Sequence, residues 1–154
     1  MAVRLEHRVP PPIVGAIAAA LMLGVAWVAP ALTLSLPWRL PIAVVIAVAG
    51  LALGLVAVGH FRRARTTVDP LNPGKASALV AGGIYRFTRN PMYLGMATLL
   101  LAWAVYLSNV AALAGLALFV AYMNRFQIEP EERALKARFG EEFEAYCRRV
   151  RRWL

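Results

Sequence analysis

The 154-residue chain has one cysteine, two histidines and few charges: 16% of its residues are Asp, Glu, Lys or Arg, against 60% apolar. A lone Cys147 excludes a disulfide framework and any site built from several thiolates. His7 and His60 alone cannot make a histidine metal centre, so no metal is expected. Soluble domains carry about 25% charged residues. Too few remain here to coat a water-facing surface, which excludes an ordinary soluble globule, and the apolar content excludes disorder. Acidic residues are scarcest, eight against 17 Lys and Arg, and none lies between Arg8 and Arg62 or between Arg89 and Arg125. Proton-coupled transport needs an ionisable group at membrane depth, so this absence speaks against a transporter.

What the chain does have is long uncharged runs. A helix needs about 20 apolar residues to cross a ~30 Å hydrocarbon core. The first run supplies a span near residues 13–36, too long for a cleaved signal peptide, and the second a span near 41–61. The third covers residues 90–124, which as one helix would reach about 52 Å, too long for one crossing. The polar pair Ser108-Asn109 splits it into a hairpin of two short spans, 91–107 and 110–126. Gly50 with Gly54, and more weakly Gly15 with Ala19, have the spacing of close helix contact. The expected fold is an all-α integral membrane protein of about four transmembrane helices plus a C-terminal amphipathic helix.

Four spans put both termini and the loop 62–90 on one side, together with 16 of the 17 basic residues; Arg39 alone lies opposite. The positive-inside rule makes that side cytoplasmic, in the inner membrane of a bacterial cell. The basic residues then serve as topology signals and anchors to lipid headgroups, and no nucleic-acid partner is expected. Chemistry is left to the loop 62–90 and the tail 127–154, forming a single domain with the spans.

Two nucleotide motifs fail in the loop. Gly74-Lys75-Ala76 lacks the upstream glycine of a phosphate loop, since Asp69 stands there, and it also lacks the Mg-binding hydroxyl. Gly82-Gly83 lacks the third glycine and the βαβ setting of a dinucleotide site.

What remains is Leu79-Val80, Gly83, Tyr85, Arg89, Pro91, Tyr93 and Gly95, followed downstream by Glu131-Glu132, Leu135, Phe139-Gly140-Glu141-Glu142-Phe143, Tyr146 and Arg152-Trp153. This pair of motifs, separated by an uncharged hairpin, resembles the isoprenylcysteine carboxyl methyltransferase family and its relatives, the membrane phospholipid methyltransferases. The resemblance covers roughly residues 75–153. It implies S-adenosylmethionine as cofactor, S-adenosylhomocysteine as product, and a lipidic or hydrophobic methyl acceptor at the membrane surface. It also maps the cofactor-binding positions onto Ser77, Ala78, Leu79, Val80, Tyr85 and the run Asn90, Pro91, Met92, Tyr93, and the family's paired acids onto Glu131 and Glu132. Asn90 stands where the family usually has histidine.

The residues carry their own reading. Asn90-Pro91 is a helix start, with Asn as N-cap and Pro in the first turn, and its unpaired N–H groups favour an anion. Arg89 is placed beside it for a cofactor carboxylate, and the tyrosines either stack on adenine or sit in the interfacial aromatic belt. Glu129, Glu131 and Glu132 suit a helix dipole, and they equally suit the cofactor's ammonium. Arg125, emerging at the membrane surface, is either a snorkelling anchor or the group that meets the acceptor, and with Tyr93 it is the catalytic candidate. Phe139, Phe143, Tyr146, Cys147, Val150 and Trp153 form an apolar stripe flanked by arginines. The expected activity is methyl transfer to a hydrophobic carboxylate, amine or thiol at the cytoplasmic surface. The alternative is a non-enzymatic four-helix protein, a small transporter or lipid-binding scaffold, which has no reason to bind the cofactor. Nothing in the residues selects an acceptor or an oligomeric state.

Overall fold

A computed structural model describes Glu6, residues 8–63 and residues 78–154. These residues are helical with no strand among them: α1 (Pro11–Val28), α2 (Arg39–Arg63), α3 (Pro91–Leu107), α4 (Leu113–Met123), α5 (Glu129–Phe139) and α6 (Glu141–Arg149). Among the described residues three apolar stretches are long enough to cross a membrane, namely Pro11–Val28, Arg39–His60 and Val110–Phe139, and Pro91–Leu107 is a shorter apolar helix of 17 residues. Large apolar side chains such as Ile17, Val45 and Leu55 stand exposed along α1 and α2, as in helices that face lipid. The chain is a membrane protein.

Proline sets several boundaries. Pro11 and Pro91 open α1 and α3 at the first turn, where the missing N–H costs nothing. The first span ends sooner than residue 36, because Ala29 precedes Pro30 and leaves the helical region; a 3-10 turn over Pro30–Leu32 follows. The last span runs on past residue 126. Residues Asn124–Ile128 form a π turn in which the Glu129 N–H bonds to the Asn124 carbonyl, five residues back. Pro130 follows at once. A proline inside an α-helix clashes with the carbonyl four residues earlier, and the wider turn relieves that clash without breaking the rod. The helix therefore carries its acidic residues beyond the uncharged part instead of starting anew at them.

The hairpin turn falls at Ser108-Asn109, as the sequence suggests. Ser108 is left-handed (φ 53°) and both residues are buried. The α1–α2 connector satisfies them: Asn109 Nδ2 donates to Ala29 O (2.8 Å) and Thr33 Oγ1 (3.1 Å), and the Leu34 N–H donates to Ser108 O (2.7 Å). A buried polar pair is tolerated only when so paired.

Between helices in lipid, close packing substitutes for the hydrophobic effect. A β-carbon at Gly95 would come within 2.7 Å of Gly50 O and 3.0 Å of Gly54 N, so α2 and α3 touch backbone to backbone there. Gly15 and Ala19 also serve contact: Gly15 faces Met96, and Trp103 Nε1 donates to Ala19 O (3.1 Å). The main core gathers Val14, Met22, Leu100, Phe119 and Met123 between α1, α3 and α4. Gly140 (φ 51°) separates α5 from α6, and Phe143 and Tyr146 of α6 pack with Val150 against Leu79, Leu135 and Phe139. These residues are thus covered by the chain itself.

Candidate active site

One end of the bundle gathers the segment before α3, the start of α5 and the tail after α6. The 3-10 turn Gly83–Arg86 sits on the last turn of α2. His60 Nδ1 donates to Val56 O (2.9 Å), which holds the ring over Gly83, where a β-carbon would overlap it; Gly83 is also left-handed (φ 58°). Only glycine meets both demands. The His60 ring meets Tyr85 edge-on at 6.4 Å. Tyr85 is buried, and its carbonyl accepts the Tyr146 hydroxyl (2.7 Å). Burial raises the pKa of both phenols, so they stay protonated.

The next three residues are stitched to the tail. The Arg89 N–H donates to Arg151 O (2.9 Å), and Thr88 Oγ1 and Asn90 Nδ2 both donate to Arg152 O (3.3 and 3.0 Å). Asn90 holds the N-cap position of α3 without capping it, which departs from the expected Asn cap: its amide is taken by the tail carbonyl. The Arg89 guanidinium is also consumed internally. It donates to Glu132 Oε1 (2.7 and 3.2 Å), to Val150 O (2.7 Å) and to Cys147 O (3.4 Å). Arg152 takes the other oxygen, Glu132 Oε2, at 2.6 Å. Glu132 is therefore a carboxylate saturated by two guanidinium groups.

Glu131 differs from its neighbour. Its side chain turns to α3, where Tyr93, almost fully buried, donates its hydroxyl to Glu131 Oε1. No cation pairs with Glu131 among the described residues. The site thus holds one carboxylate shared by two guanidinium groups and one carboxyl whose partner is a tyrosine hydroxyl.

The other expected residues are distributed around this centre. Pro91 is buried, and Met92, Leu79 and Val80 are half-buried, with Leu79 packed on α6. Ala78 is exposed, and Ser77 lies outside the described residues, as do Asp69, Gly74 and Lys75. Arg125 is half exposed, 3.2 Å from Glu129 and 4.0 Å from Glu6. Sequence reasoning gave His60 no role beyond excluding a metal centre and passed over Thr88, Asn124 and Gln127. Asn124 Oδ1 accepts from Trp153 Nε1 (2.9 Å), and the buried Gln127 donates to Val9 O (2.8 Å). The available signal was polarity in an apolar setting: Asn124 and Gln127 flank Arg125 at the end of an otherwise uncharged helix.

The phospholipid methyltransferase family matches residues 38–142, well over half of the chain. The chain belongs to that family. The match runs from the start of α2 to the first turn of α6, so it includes Tyr85, Arg89, Tyr93 and all three glutamates of α5. Phospholipid methyltransferase family members generally use S-adenosylmethionine, and the family includes isoprenylcysteine carboxyl methyltransferase-like proteins. An uncharacterised protein of Haemophilus influenzae is 44% identical over 63 residues, which is 41% of this chain and the whole of that relative. No solved structure matches.

Proposed function

We propose that this member of the phospholipid methyltransferase family binds S-adenosylmethionine at the end of the bundle that carries Tyr93 and Glu131. Its methyl group would go to a lipidic or hydrophobic carboxylate, amine or thiol at the cytoplasmic surface of the inner membrane. The observation that carries the reading is the contrast between the paired acids. Glu132 is spent on Arg89 and Arg152, whereas Glu131 keeps one uncharged partner and has no counter-cation among the described residues. A carboxyl in that setting suits a ligand that brings its own positive charge.

When bound, S-adenosylmethionine supplies an electrophilic methyl group on a sulfonium. Glu131 would hold the ligand's ammonium. Tyr93 steadies that carboxylate through its hydroxyl and sets its direction. Arg89 and Glu132 act as positioning residues, since their contacts join the α3 start, the α5 start and the tail into one wall. Ala78, Leu79, Val80, Tyr85, Asn90, Pro91 and Met92 belong to the segment that would hold the cofactor, and Glu129 pairs with Arg125. Arg125, half exposed near the lipid level, meets the acceptor's head. Rate enhancement in this arrangement rests on orientation and exclusion of water. The 16 basic residues that share one side of the four-span topology support cytoplasmic termini and a single domain over residues 1–154.

The test is direct binding of S-adenosylmethionine to the purified protein in detergent, followed by incubation of membranes with methyl-labelled cofactor and identification of the labelled product. Saturable binding and a labelled lipid-phase product are expected. Absence of binding would leave a non-enzymatic membrane scaffold as the reading.

A further inference from the structure

The opposite end of the bundle carries a second feature that plays no part in methyl transfer. Above their contact at Gly50 and Gly95, α2 and α3 separate and leave an apolar groove of about 230 Å³, lined by Ala43, Ala47, Leu99, Ala102 and Trp103 among others. Alanines on α2 make the hollow, and Trp103 is fixed beside it by its bond to Ala19 O. Tyr106 closes the upper end of the groove, stacked on Trp103 at 5.4 Å. The Arg39 guanidinium lies over the Tyr106 ring, 5.7 Å from its centre. Arg39 is the only charged residue between Val9 and Phe61, and none occurs from Asn90 to Asn124, so among the described residues this end of the bundle has one cation and no anion. Trp27 and Trp38 stand exposed at the same level, as aromatic side chains do where hydrocarbon gives way to headgroups.

We infer that this groove is a binding site for one anionic glycerophospholipid, its acyl chain lying between α2 and α3 and its phosphate paired with Arg39. The uncompensated charge decides the class: a zwitterionic lipid brings its own cation and gains less from Arg39. The chain dimension fits as well, since the groove opens to lipid along Leu40 and Val44, both more than half exposed, and ends at the cation. A tightly held lipid here fills the gap that the small residues leave and braces α2, which otherwise packs mainly on α3. The inference is independent of the methyl-transfer reading.

The test uses the full chain in phosphatidylcholine nanodiscs, with Trp27, Trp38 and Trp153 changed to Phe so that Trp103 alone reports. Brominated phosphatidylglycerol should quench Trp103 at a mole fraction roughly tenfold lower than brominated phosphatidylcholine with the same chains, the size of one charge-assisted hydrogen bond. Arg39→Gln should bring the two lipids level, and Ala47→Phe should abolish the high-affinity quenching. Equal quenching by the two lipids in the parent, or a preference that survives Arg39→Gln, overturns the inference, as would a groove covered by a second copy of the chain. Native mass spectrometry of the unaltered chain and Arg39→Gln from an equimolar lipid mixture gives the same decision if the single-tryptophan protein fails to fold. Loss of retained phosphatidylglycerol in the variant supports the site, and equal retention refutes it.

Discussion

Glu131→Gln tests the proposed cofactor contact most sharply, because glutamine keeps the shape and the bond to Tyr93 while removing the charge. A charge-assisted hydrogen bond is worth about 1.5–3 kcal/mol, and Glu131 is the acid of the pair that no guanidinium occupies among the described residues. Glu131→Gln should therefore bind S-adenosylmethionine about ten- to a hundredfold more weakly in titration calorimetry of the detergent-solubilised protein. Thermal melts of the same preparation check that the variant is folded. A folded Gln variant that binds as tightly as the wild type would refute the assignment.

Glu132→Gln should lower the melting temperature more than it changes cofactor affinity, because it strips Arg89 and Arg152 of their shared anion; a loss of about 1.5–3 kcal/mol is expected from denaturation in detergent. Gly95→Leu should separate α2 from α3, since even a β-carbon meets Gly50 O at 2.7 Å, and Gly95→Ala should be milder; monodispersity and thermal melts report the order. Gly83→Ala should destabilise through both its left-handed backbone and the His60 ring, and His60→Ala should recover only the second part in a double-mutant cycle.

Much of the fold was legible because lipid imposes a simple rule: uncharged runs become helices, and buried polar breaks become turns. The limits of α3 and the turn at Ser108-Asn109 follow from that rule. The early end of α1 required weighing Pro30 against hydrophobicity, and the unbroken passage from α4 to α5 required seeing that a π turn accommodates Pro130. At the site, the motif residues were found but not their partners. Arg89 beside a helix start looks free to hold a ligand's carboxylate; in the structure tail carbonyls some 60 residues away and Glu132 occupy it. The two adjacent glutamates are indistinguishable in sequence, and only their side-chain directions separate the one held by two guanidinium groups from the one that faces Tyr93. His60, read only as too isolated for a metal, is placed by Gly83, a contact across a loop that no local pattern announces.

The stitching of Thr88–Asn90 to residues 150–152 also orders events during synthesis. The first half of the wall leaves the ribosome about 60 residues before the second, several seconds at roughly 5–20 residues per second. In that interval α3 and α4 have been made while Arg89 still lacks its carbonyl partners. The wall that joins the start of α3 to the tail is therefore the last part of this end of the bundle to close, and a nascent chain that stops before residue 150 leaves it open.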